Sequence, residues 1–372
     1  MDNIAIIFGG KSVEHDISII TALQTMKNIS KKYNLIPIYI KPDGRMVCGE
    51  NLTDEKTFLD YEKNVKKEME ILPSLGKREF AFCQNQKIKK RLKIDAAILC
   101  CHGHGGEDGC LQGLLELCEI PYSSPSLPSS ALCIDKTLTK IMLKNAQVNT
   151  PAYVHFDKSS FEANKEETIS KISKTPAYPC IVKPANLGSS VGISICEDKA
   201  KIEKNIENAF LYDDKIIVEK FLAGAREFCC AVLKIGDKMI ASKVAEVTKS
   251  EFYTFEEKYL RKGSQSKEID DKLEKEVKEM AVRTFNALEC DGVVRVDFLY
   301  DEKSKKLYVN ELNTIPGSLA FNLFDASFED LLNMLIKSGK DKKEKQNENL
   351  YKFSSVAIEN YINMACSEKL VK

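Results

Sequence analysis

Four polar residues interrupt an apolar stretch in the C-terminal third of the chain, and they are the strongest candidates for chemistry. Residues 291–319 read DGVVRVDFLYDEKSKKLYVNELNTIPGSL, which predicts two strands joined by a charged turn. Arg295 and Asp297 share one face of the first strand, and Glu311 and Asn313 share one face of the second. If the strands pair, two carboxylates and an amide form an all-oxygen set that suits Mg²⁺. Two edge strands with a solvated charged face are the alternative interpretation.

A second candidate is a lysine followed by a loop of small residues. Lys183 lies in the apolar segment YPCIVKP, where burying its ammonium without an anion would be costly. The loop that follows, NLGSSVG at residues 186–192, exposes backbone N–H groups that can surround phosphate. The Walker A pattern is absent from the sequence, so the pattern predicts a different kind of nucleotide-binding loop.

Two glycine-containing turns predict a Rossmann-like unit near the N-terminus. Apolar residues 4–8 lead into FGGKSVEH and a helix, and AILCCHGHGGEDG repeats the change from strand to glycine loop. Such a turn allows a helix N-terminus to attract an anion. Glu14 could instead be an acid in the first helical turn that complements the helix dipole. Residues 51–95 are rich in Lys and Glu, and we expect a surface region with one or two helices there.

Composition argues against several classes of protein. The chain has 372 residues, enough for two or three domains, and its 55 Lys+Arg balance its 55 Asp+Glu, which disfavours nucleic acid or membrane as the main partner. The N-terminus lacks the features of a signal peptide, and no apolar run approaches the roughly 18 residues that span a bilayer. Thirteen scattered cysteines without a CxxC pair predict buried, reduced thiols. We therefore expect a cytoplasmic protein.

Several motifs, in the same order along residues 4–335, resemble the D-alanine–D-alanine ligase family, a branch of the ATP-grasp ligases. They include IIFGGKSVEHDISIITA, HGHGGEDGCLQGLLE, KPANLGSSVG and RVDF followed by NELNTIPG. The resemblance implies an α/β and α+β protein with an ATP-grasp fold and an N-terminal Rossmann-like domain. The implied division is an N-terminal substrate domain (1–124), a central subdomain with the phosphate loop (125–218), a C-terminal subdomain with the metal site and lid loop (219–338), and a charged linker with an extra helix (339–372).

The resemblance also implies an ATP-dependent ligation of two amino acids and a role for particular residues. The implied catalytic residues are Glu14, Ser189, Tyr259, Arg295 and Gly317. The implied amino-acid-binding residues are Glu14, His102, Lys258, Ser318 and Asn322. The implied ATP-binding residues are Glu107, Lys136, Lys183, Ser189, Ser190, Glu219, Lys220, Leu222, Glu227 and Lys258. Two Mg²⁺ or Mn²⁺ ions would be held by Asp297, Glu311 and Asn313, and the family's usual dimer is expected.

The sequence departs from the family after the proline–glycine pair. Typical members read PGFTxxS or PGMTxxS, and this segment helps to bind the carboxylate of the second D-alanine. Here the segment reads PGSLAFN, with Ser318 after the glycine and Asn322 at the usual serine position. The acceptor is therefore open between D-alanine, D-serine, D-lactate and another amino acid. A catalytically silent ATP-binding paralogue is a further alternative.

Overall fold

The computed structural model describes residues 1–247, 269–350 and 356–369, and its strands form three sheets. The N-terminal unit contains strands β1 (Asn3–Gly9), β2 (Asn34–Ile40), β3 (Met46–Cys48), β4 (Met69–Ser74), β5 (Glu79–Gln84), β6 (Lys87–Lys93) and β7 (Ala96–Leu99). Its helices are α1 (His15–Asn28), α2 (Tyr61–Asn64) and α3 (Cys110–Leu117), with a 3-10 turn at Glu55–Leu59. The strand order is β6-β5-β4-β3-β2-β1-β7, with β1 parallel to both neighbours.

Residues 51–95 contain short helical segments, as expected, and also three strands that the sequence did not predict. Apart from the 3-10 turn and the single turn of α2, they contain β4, β5 and β6, which pair antiparallel. Phe80 and Phe82 of β5 are buried, whereas most of KIKKRLK in β6 is exposed at the sheet edge. Charged edge strands are common because they prevent edge-to-edge pairing, and their lysines hide the strand pattern.

The central unit has a four-stranded antiparallel sheet with its own core. Its strands are β8 (Tyr153–Asp157), β9 (Cys180–Pro184), β10 (Ser194–Cys196) and β11 (Lys215–Lys220). Their order is β10-β9-β11-β8. The helices that cover it are α6 (Lys158–Ala163), α7 (Lys165–Lys174) and α8 (Ile202–Ala209). Phe156, Ile172, Val182, Ile206 and Val218 belong to the core between them.

Two helices, α4 (Leu127–Ile134) and α5 (Lys136–Asn145), precede the central sheet. Asp135 between them has extended backbone angles, and its carboxylate accepts hydrogen bonds from the backbone N–H of Thr137 and Leu138. Asp is a favoured N-cap because it satisfies N–H groups that lack a helical partner. Lys136 is therefore the first residue of α5.

The C-terminal unit is built on the sheet β13-β12-β14-β15, in which all neighbours are antiparallel. Its elements are β12 (Arg226–Ile235), β13 (Lys238–Val247), α9 (Asp271–Ala287), β14 (Val293–Asp301), β15 (Lys306–Asn313), a 3-10 turn (Gly317–Leu323), α10 (Phe328–Leu350) and α11 (Ala357–Lys369). Alternate residues of β12 pack on opposite sides. Cys230 and Val232 share a core with α9, and Cys229 and Ala231 share the core of the N-terminal unit and α10.

Helix α10 corrects the expected charged linker, because it continues through residues 339–350 without a break. Its lysines bind acids of both flanking units, in the pairs Lys340–Asp2, Lys343–Glu119 and Lys345–Asp237. The expected extra C-terminal helix is α11. In the part of the chain that the structure describes, the cysteines are free thiols and mostly buried, and no helix is long and apolar enough to cross a membrane.

The cap at Asp135 leads to a stability prediction. Asp135→Ala should lower the free energy of unfolding by about 1–2 kcal/mol, because two N–H groups of α5 lose their acceptor. Asp135→Asn keeps a capping oxygen and should lose less, although both variants lose the ion pair with Lys215 at 2.7 Å. Urea unfolding of both variants measures the difference. Equal losses would mean that the ion pair, and not the cap, stabilises this junction.

Candidate active site

Strands β14 and β15 bring the four polar residues of the hairpin together, as predicted. Asp297 faces Glu311, and Arg295 faces Asn313. Arg295 Nε and Nη2 donate to the two carboxylate oxygens of Asp297 at 2.7 and 2.8 Å. Asn313 Nδ2 donates to Asp297 Oδ2 at 3.0 Å. The hairpin therefore presents a guanidinium, two carboxylates and an amide on one face.

A β-bulge in β15 creates this arrangement. The register passes from the pair Asp297–Glu311 to the pair Phe298–Val309, so Asn310 is the extra residue. Val309 belongs to the core beneath α9, whereas the bulge turns Glu311 to the opposite face, with Asp297. Simple alternation along β15 would have placed Glu311 beside Val309 in the core.

The donor set on this face fits a hard divalent cation. Asp297, Glu311 and Asn313 offer carboxylate and amide oxygens, which are the ligands that Mg²⁺ prefers. Within the described residues there is no cluster of three or more His, Cys, Asp or Glu. Phosphate oxygens or water would therefore have to complete the coordination of a bound ion, as is usual for Mg²⁺.

Lys183 lies on β9, where the sequence predicted it, and its ammonium is buried between charged and polar partners. Its Nζ donates to Glu219 Oε2 at 3.0 Å and to Asn310 Oδ1 at 3.2 Å. Burial lowers the pKa of Lys183, but the nearby Glu219 and Glu311 outweigh it and raise the pKa above its ordinary value. Lys183 is therefore a charged group beside the proposed metal ligands.

The loop after Lys183 contacts a second lysine. Lys136 donates from Nζ to the carbonyl oxygen of Leu187 at 2.5 Å, and its backbone N–H donates to Ala185. Ser189 and Ser190 both have positive φ, at 51° and 59°. Positive φ is uncommon outside glycine, and such residues occur often at ligand-binding turns.

Glu14 meets the phosphate loop in the structure. Ser189 Oγ donates to Glu14 Oε1 at 2.5 Å, so two of the residues that the family resemblance implied for catalysis are in contact. Two glycines permit this approach, since a Cβ at Gly103 or Gly188 would lie 2.8 or 3.0 Å from Glu14 Oε2. Tyr259 and Lys258, the other residues expected here, lie outside the described residues.

His102 is buried in a hydrogen-bond network that reaches Ser318 in the segment PGSLAFN. Its Nε2 lies 2.9 Å from Thr21 Oγ1, and Thr21 Oγ1 accepts from the backbone N–H of Ser318 at 3.2 Å. Burial lowers the pKa of His102 to about 4, with a further contribution from the charge of Arg295. At neutral pH the imidazole therefore carries no charge.

Glu107 links the glycine loop of the N-terminal unit to the segment that follows β15. Its carboxylate accepts from the backbone N–H of Gly103 at 2.9 Å and of Ile315 at 2.8 Å, and from Thr314 Oγ1 at 3.3 Å. Burial, with a smaller contribution from Glu14, raises the pKa of Glu107 to about 7. These contacts belong to protein groups, so a contact of Glu107 with nucleotide phosphate stays a prediction.

Three of the implied ATP-binding residues, Glu219, Lys220 and Leu222, lie at the end of β11 and in the connection to β12. The backbone N–H of Lys220 donates to Ala152 at 2.8 Å, and the carbonyl of Leu222 accepts from Ala225 at 3.1 Å. The side chain of Glu219 forms ion pairs with two buried lysines, Lys140 and Lys183. Glu227 lies on β12, and its charge contributes to the raised pKa of Lys183.

The unusual segment PGSLAFN forms a left-handed turn. Ser318, Leu319 and Ala320 have φ of 50°, 51° and 54°, and the last two side chains are buried. Ser318 Oγ donates to Gln24 Oε1 of α1 at 2.5 Å. Gly317 begins the turn, and Asn322 is exposed near its end.

The structure adds four residues that sequence reasoning missed: Thr21, Gln24, Lys140 and Asn310. Lys140 is fully buried, and its Nζ lies 3.2 Å from Glu219 Oε1. Its spacing of four residues from Lys136 puts both lysines on one face of α5 and was a readable signal. Asn310 could not be found in this way, because a bulge does not follow from strand periodicity.

Comparison with known proteins identifies the family. The family models for the N-terminus and the C-terminus of D-ala D-ala ligase match residues 3–125 and 142–335. The chain belongs to the D-alanine–D-alanine ligase family. A relative from Thermosipho melanesiensis named D-alanine–D-alanine ligase is 42% identical over 359 residues, covering 92% of this chain and 96% of the relative.

Solved structures of D-alanine–D-alanine ligase family members share the architecture. The D-alanine–D-alanine ligase from Coxiella burnetii has a TM-score of 0.78 at 27% identity and covers 98% of this chain and 99% of its own. The VanG D-Ala:D-Ser ligase from Enterococcus faecalis has a TM-score of 0.76 at 32% identity. The match covers 91% of this chain and 99% of the VanG chain. These matches confirm the predicted ATP-grasp fold and the predicted class of ATP-dependent ligase.

The raised pKa of Glu107 predicts a pH dependence of stability. The folded state holds this proton more tightly than the unfolded state, so the contribution is present below the ordinary pKa of 4.5 and is lost as pH rises through about 7. Glu107→Gln cannot titrate, and its unfolding free energy should therefore improve relative to the original protein by up to about 3 kcal/mol across this range. Urea unfolding at several pH values measures this difference.

Glu162→Gln is the matched control, because it removes an exposed carboxylate of the central unit. Its difference from the original protein should stay nearly constant between pH 4.5 and 8. If the unfolding free energies of Glu107→Gln and of the original protein changed with pH in parallel, the raised pKa of Glu107 would be contradicted.

Proposed function

We propose that this protein joins two D-alanines at the expense of ATP, through an acyl-phosphate intermediate. The observation that carries the proposal is the contact between the hairpin of β14 and β15 and the N-terminal unit. The hairpin with Asp297 and Glu311 continues directly into residues 314–318, which bind Glu107 and Thr21 of the N-terminal unit. A phosphoryl group held by the hairpin would thus lie close to an amino acid held beside Glu14. The relatives named D-alanine–D-alanine ligase support the same substrates.

The first step transfers the γ-phosphoryl group to a carboxylate. The carboxylate of the first D-alanine attacks the γ-phosphorus, the bond to the β-phosphate oxygen breaks, and acyl phosphate and ADP form. Negative charge concentrates on the transferring group, so fixed cations and N–H donors supply most of the catalysis. Lys136, Lys183 and the N–H groups of residues 186–192, including Ser189 and Ser190, would supply them. Two Mg²⁺ ions, when held by Asp297, Glu311 and Asn313, would neutralise further phosphate charge.

The second step forms the peptide bond. The amine of the second D-alanine attacks the acyl carbonyl carbon, loses a proton, and phosphate leaves. The tetrahedral intermediate carries an oxyanion, which Arg295 and the backbone N–H of Gly317 would face. Glu14 would hold the ammonium of the first D-alanine, near the neutral His102. Lys258 and Tyr259, which lie outside the described residues, are by the family resemblance the groups that would help to keep water from the acyl phosphate.

A different acceptor with the same chemistry is the second candidate. The segment from Ser318 to Asn322 differs from the family pattern, and its left-handed turn is anchored to Gln24. One structurally similar protein is named a D-Ala:D-Ser ligase. D-Serine, D-lactate or another amino acid could therefore replace the second D-alanine.

The proposed biological setting follows from the chemistry. D-Alanyl-D-alanine serves peptidoglycan precursor synthesis, and ATP together with free thiols favours the cytoplasm. We also propose a homodimer, as is usual for the family. The alternative of a silent paralogue is disfavoured, because Lys136, Lys183, Arg295, Asp297 and Glu311 are all present.

The metal assignment predicts a loss of turnover on neutralising either carboxylate. Asp297→Asn and Glu311→Gln should each reduce ATP-dependent phosphate release with D-alanine by at least about 100-fold, because charge stabilisation at the phosphoryl group is lost. The assay contains Mg²⁺, and the dipeptide is identified by mass. Glu302→Gln, which removes an exposed carboxylate in the turn of the same hairpin, should retain full activity. Normal turnover in Asp297→Asn or Glu311→Gln would contradict the assignment of these carboxylates as metal ligands.

The acceptor segment predicts a change in selectivity. Asn322→Ser should shift acceptor preference towards D-alanine in a competition between D-alanine, D-serine and D-lactate, because serine restores the family residue. Ser318→Ala removes the hydrogen bond to Gln24 and should raise the KM for the acceptor several-fold, with the KM for ATP unchanged. Unchanged selectivity in Asn322→Ser would make Asn322 irrelevant to the pocket.

A further inference from the structure

Lys140 is a buried lysine at the junction of the central and C-terminal units, and the reaction steps above do not use it. Its side chain is 1% exposed. Its Nζ lies 3.2 Å from Glu219 Oε1 on β11 and 3.4 Å from the carbonyl oxygen of Asn310 on β15. A lysine is rarely buried so completely without a specific partner.

Glu219 is shared between two lysines, one on each carboxylate oxygen. Lys140 contacts Oε1, and Lys183 contacts Oε2 at 3.0 Å. Burial would raise the pKa of Glu219, but the two ammonium groups outweigh it and lower the pKa to about 2. The carboxylate is therefore ionised, and its orientation depends on both lysines.

Lys183 depends on the same arrangement. An ammonium group has three N–H donors, and here one points to Glu219 Oε2 and one to Asn310 Oδ1. Within the described residues, the third donor remains for a ligand such as phosphate. Glu219 Oε1 has no hydrogen-bond partner among the described residues, so its ion pair with Lys140 is what compensates its burial. If Lys140 were absent, the carboxylate would turn to take a further donor from Lys183.

Lys140 also contacts the bulge that orients the second partner of Lys183. The carbonyl of Asn310 approaches Lys140, while its side-chain oxygen accepts from Lys183. Loss of Lys140 would thus loosen both acceptors that fix the direction of the Lys183 ammonium. Asn310 directly precedes Glu311, so the same contact borders the proposed metal ligands.

We infer that Lys140 is a positioning residue for nucleotide binding. It holds Glu219 and Asn310 so that Lys183 directs an N–H towards the nucleotide. This inference rests on the proposed ATP-dependent function, and it assigns to Lys140 an action that passes through Glu219 rather than through direct contact with ATP.

The test measures ADP binding by calorimetry in the presence of Mg²⁺, without any amino acid. Lys140→Met keeps the length of the side chain and removes its donors, and it should weaken ADP binding by about tenfold or more. Lys140→Arg keeps a buried cation and should recover part of the affinity. Lys41→Met is the matched control, because Lys41 is a 5% exposed lysine of the N-terminal unit that pairs with Glu62 at 2.7 Å. It should bind ADP like the original protein.

A double-mutant cycle tests whether Lys140 acts through Glu219. In a Glu219→Gln background, adding Lys140→Met should change ADP affinity by less than about twofold, because contacting residues are not additive. If the effects of Lys140→Met and Glu219→Gln on the free energy of ADP binding were fully additive, the inference would be overturned. Unchanged ADP binding by Lys140→Met, together with a lower melting temperature, would also overturn it and leave Lys140 a purely structural contact.

Two further measurements separate the possible failures. If Lys140→Met does not fold, Lys140→Gln replaces it, since its amide NH2 group is a hydrogen-bond donor without charge. Unchanged ADP binding in that variant contradicts the inference. In the ligation assay, Lys140→Met should raise the KM for ATP and leave the KM for D-alanine unchanged. If the original protein binds ADP but forms no dipeptide, the proposed ligation fails while the cycle on ADP binding still decides the role of Lys140.

Discussion

The bulge at Asn310 is the constraint on which the rest of the site depends. It reverses the alternation of β15, so that Leu307 and Val309 pack beneath α9 while Glu311 and Asn313 turn to the opposite face. Because of this one inserted residue, a single strand contributes apolar side chains to the core and polar side chains to the opposite face. The side-chain oxygen of the same residue accepts a hydrogen bond from Lys183, so the geometry of the strand and the direction of the Lys183 ammonium are linked.

Burial sets the charges around this hairpin. His102 is neutral at physiological pH, so the imidazole does not add a second positive charge beside Arg295. The pKa of Glu107 is about 7, so this carboxyl group is partly protonated at the same pH. Both groups act through hydrogen bonds that join the N-terminal unit to residues 314–318. The N-terminal unit is thus aligned with the hairpin of β14 and β15 by neutral or partly neutral contacts, which need little compensation by counter-ions.

Local signals in the sequence predicted the hairpin, the strand lysine and both glycine loops, because each depends on residues close together in the chain. They did not predict the burial of Lys140, since its partner Glu219 lies 79 positions away and a helical lysine is usually solvated. They also misassigned residues 339–350, because lysines that pair with Asp2 and Glu119 resemble the composition of a linker. Periodicity carries no information on such long-range pairs. Edge strand β6 was missed for a different reason, since its exposed lysines hide the strand pattern.

The distribution of the hydrophobic cores determines which parts can move as rigid bodies. The N-terminal unit, α10 and one face of the C-terminal sheet share one core, whereas the central sheet has its own. Rotation of the central unit would exchange polar contacts such as Ser189–Glu14 and Lys183–Asn310 and leave both cores intact. Rotation of the N-terminal unit against the C-terminal sheet would expose packed apolar surface. Opening the molecule beside the central sheet would therefore expose less apolar surface than opening it between the N-terminal unit and the C-terminal sheet.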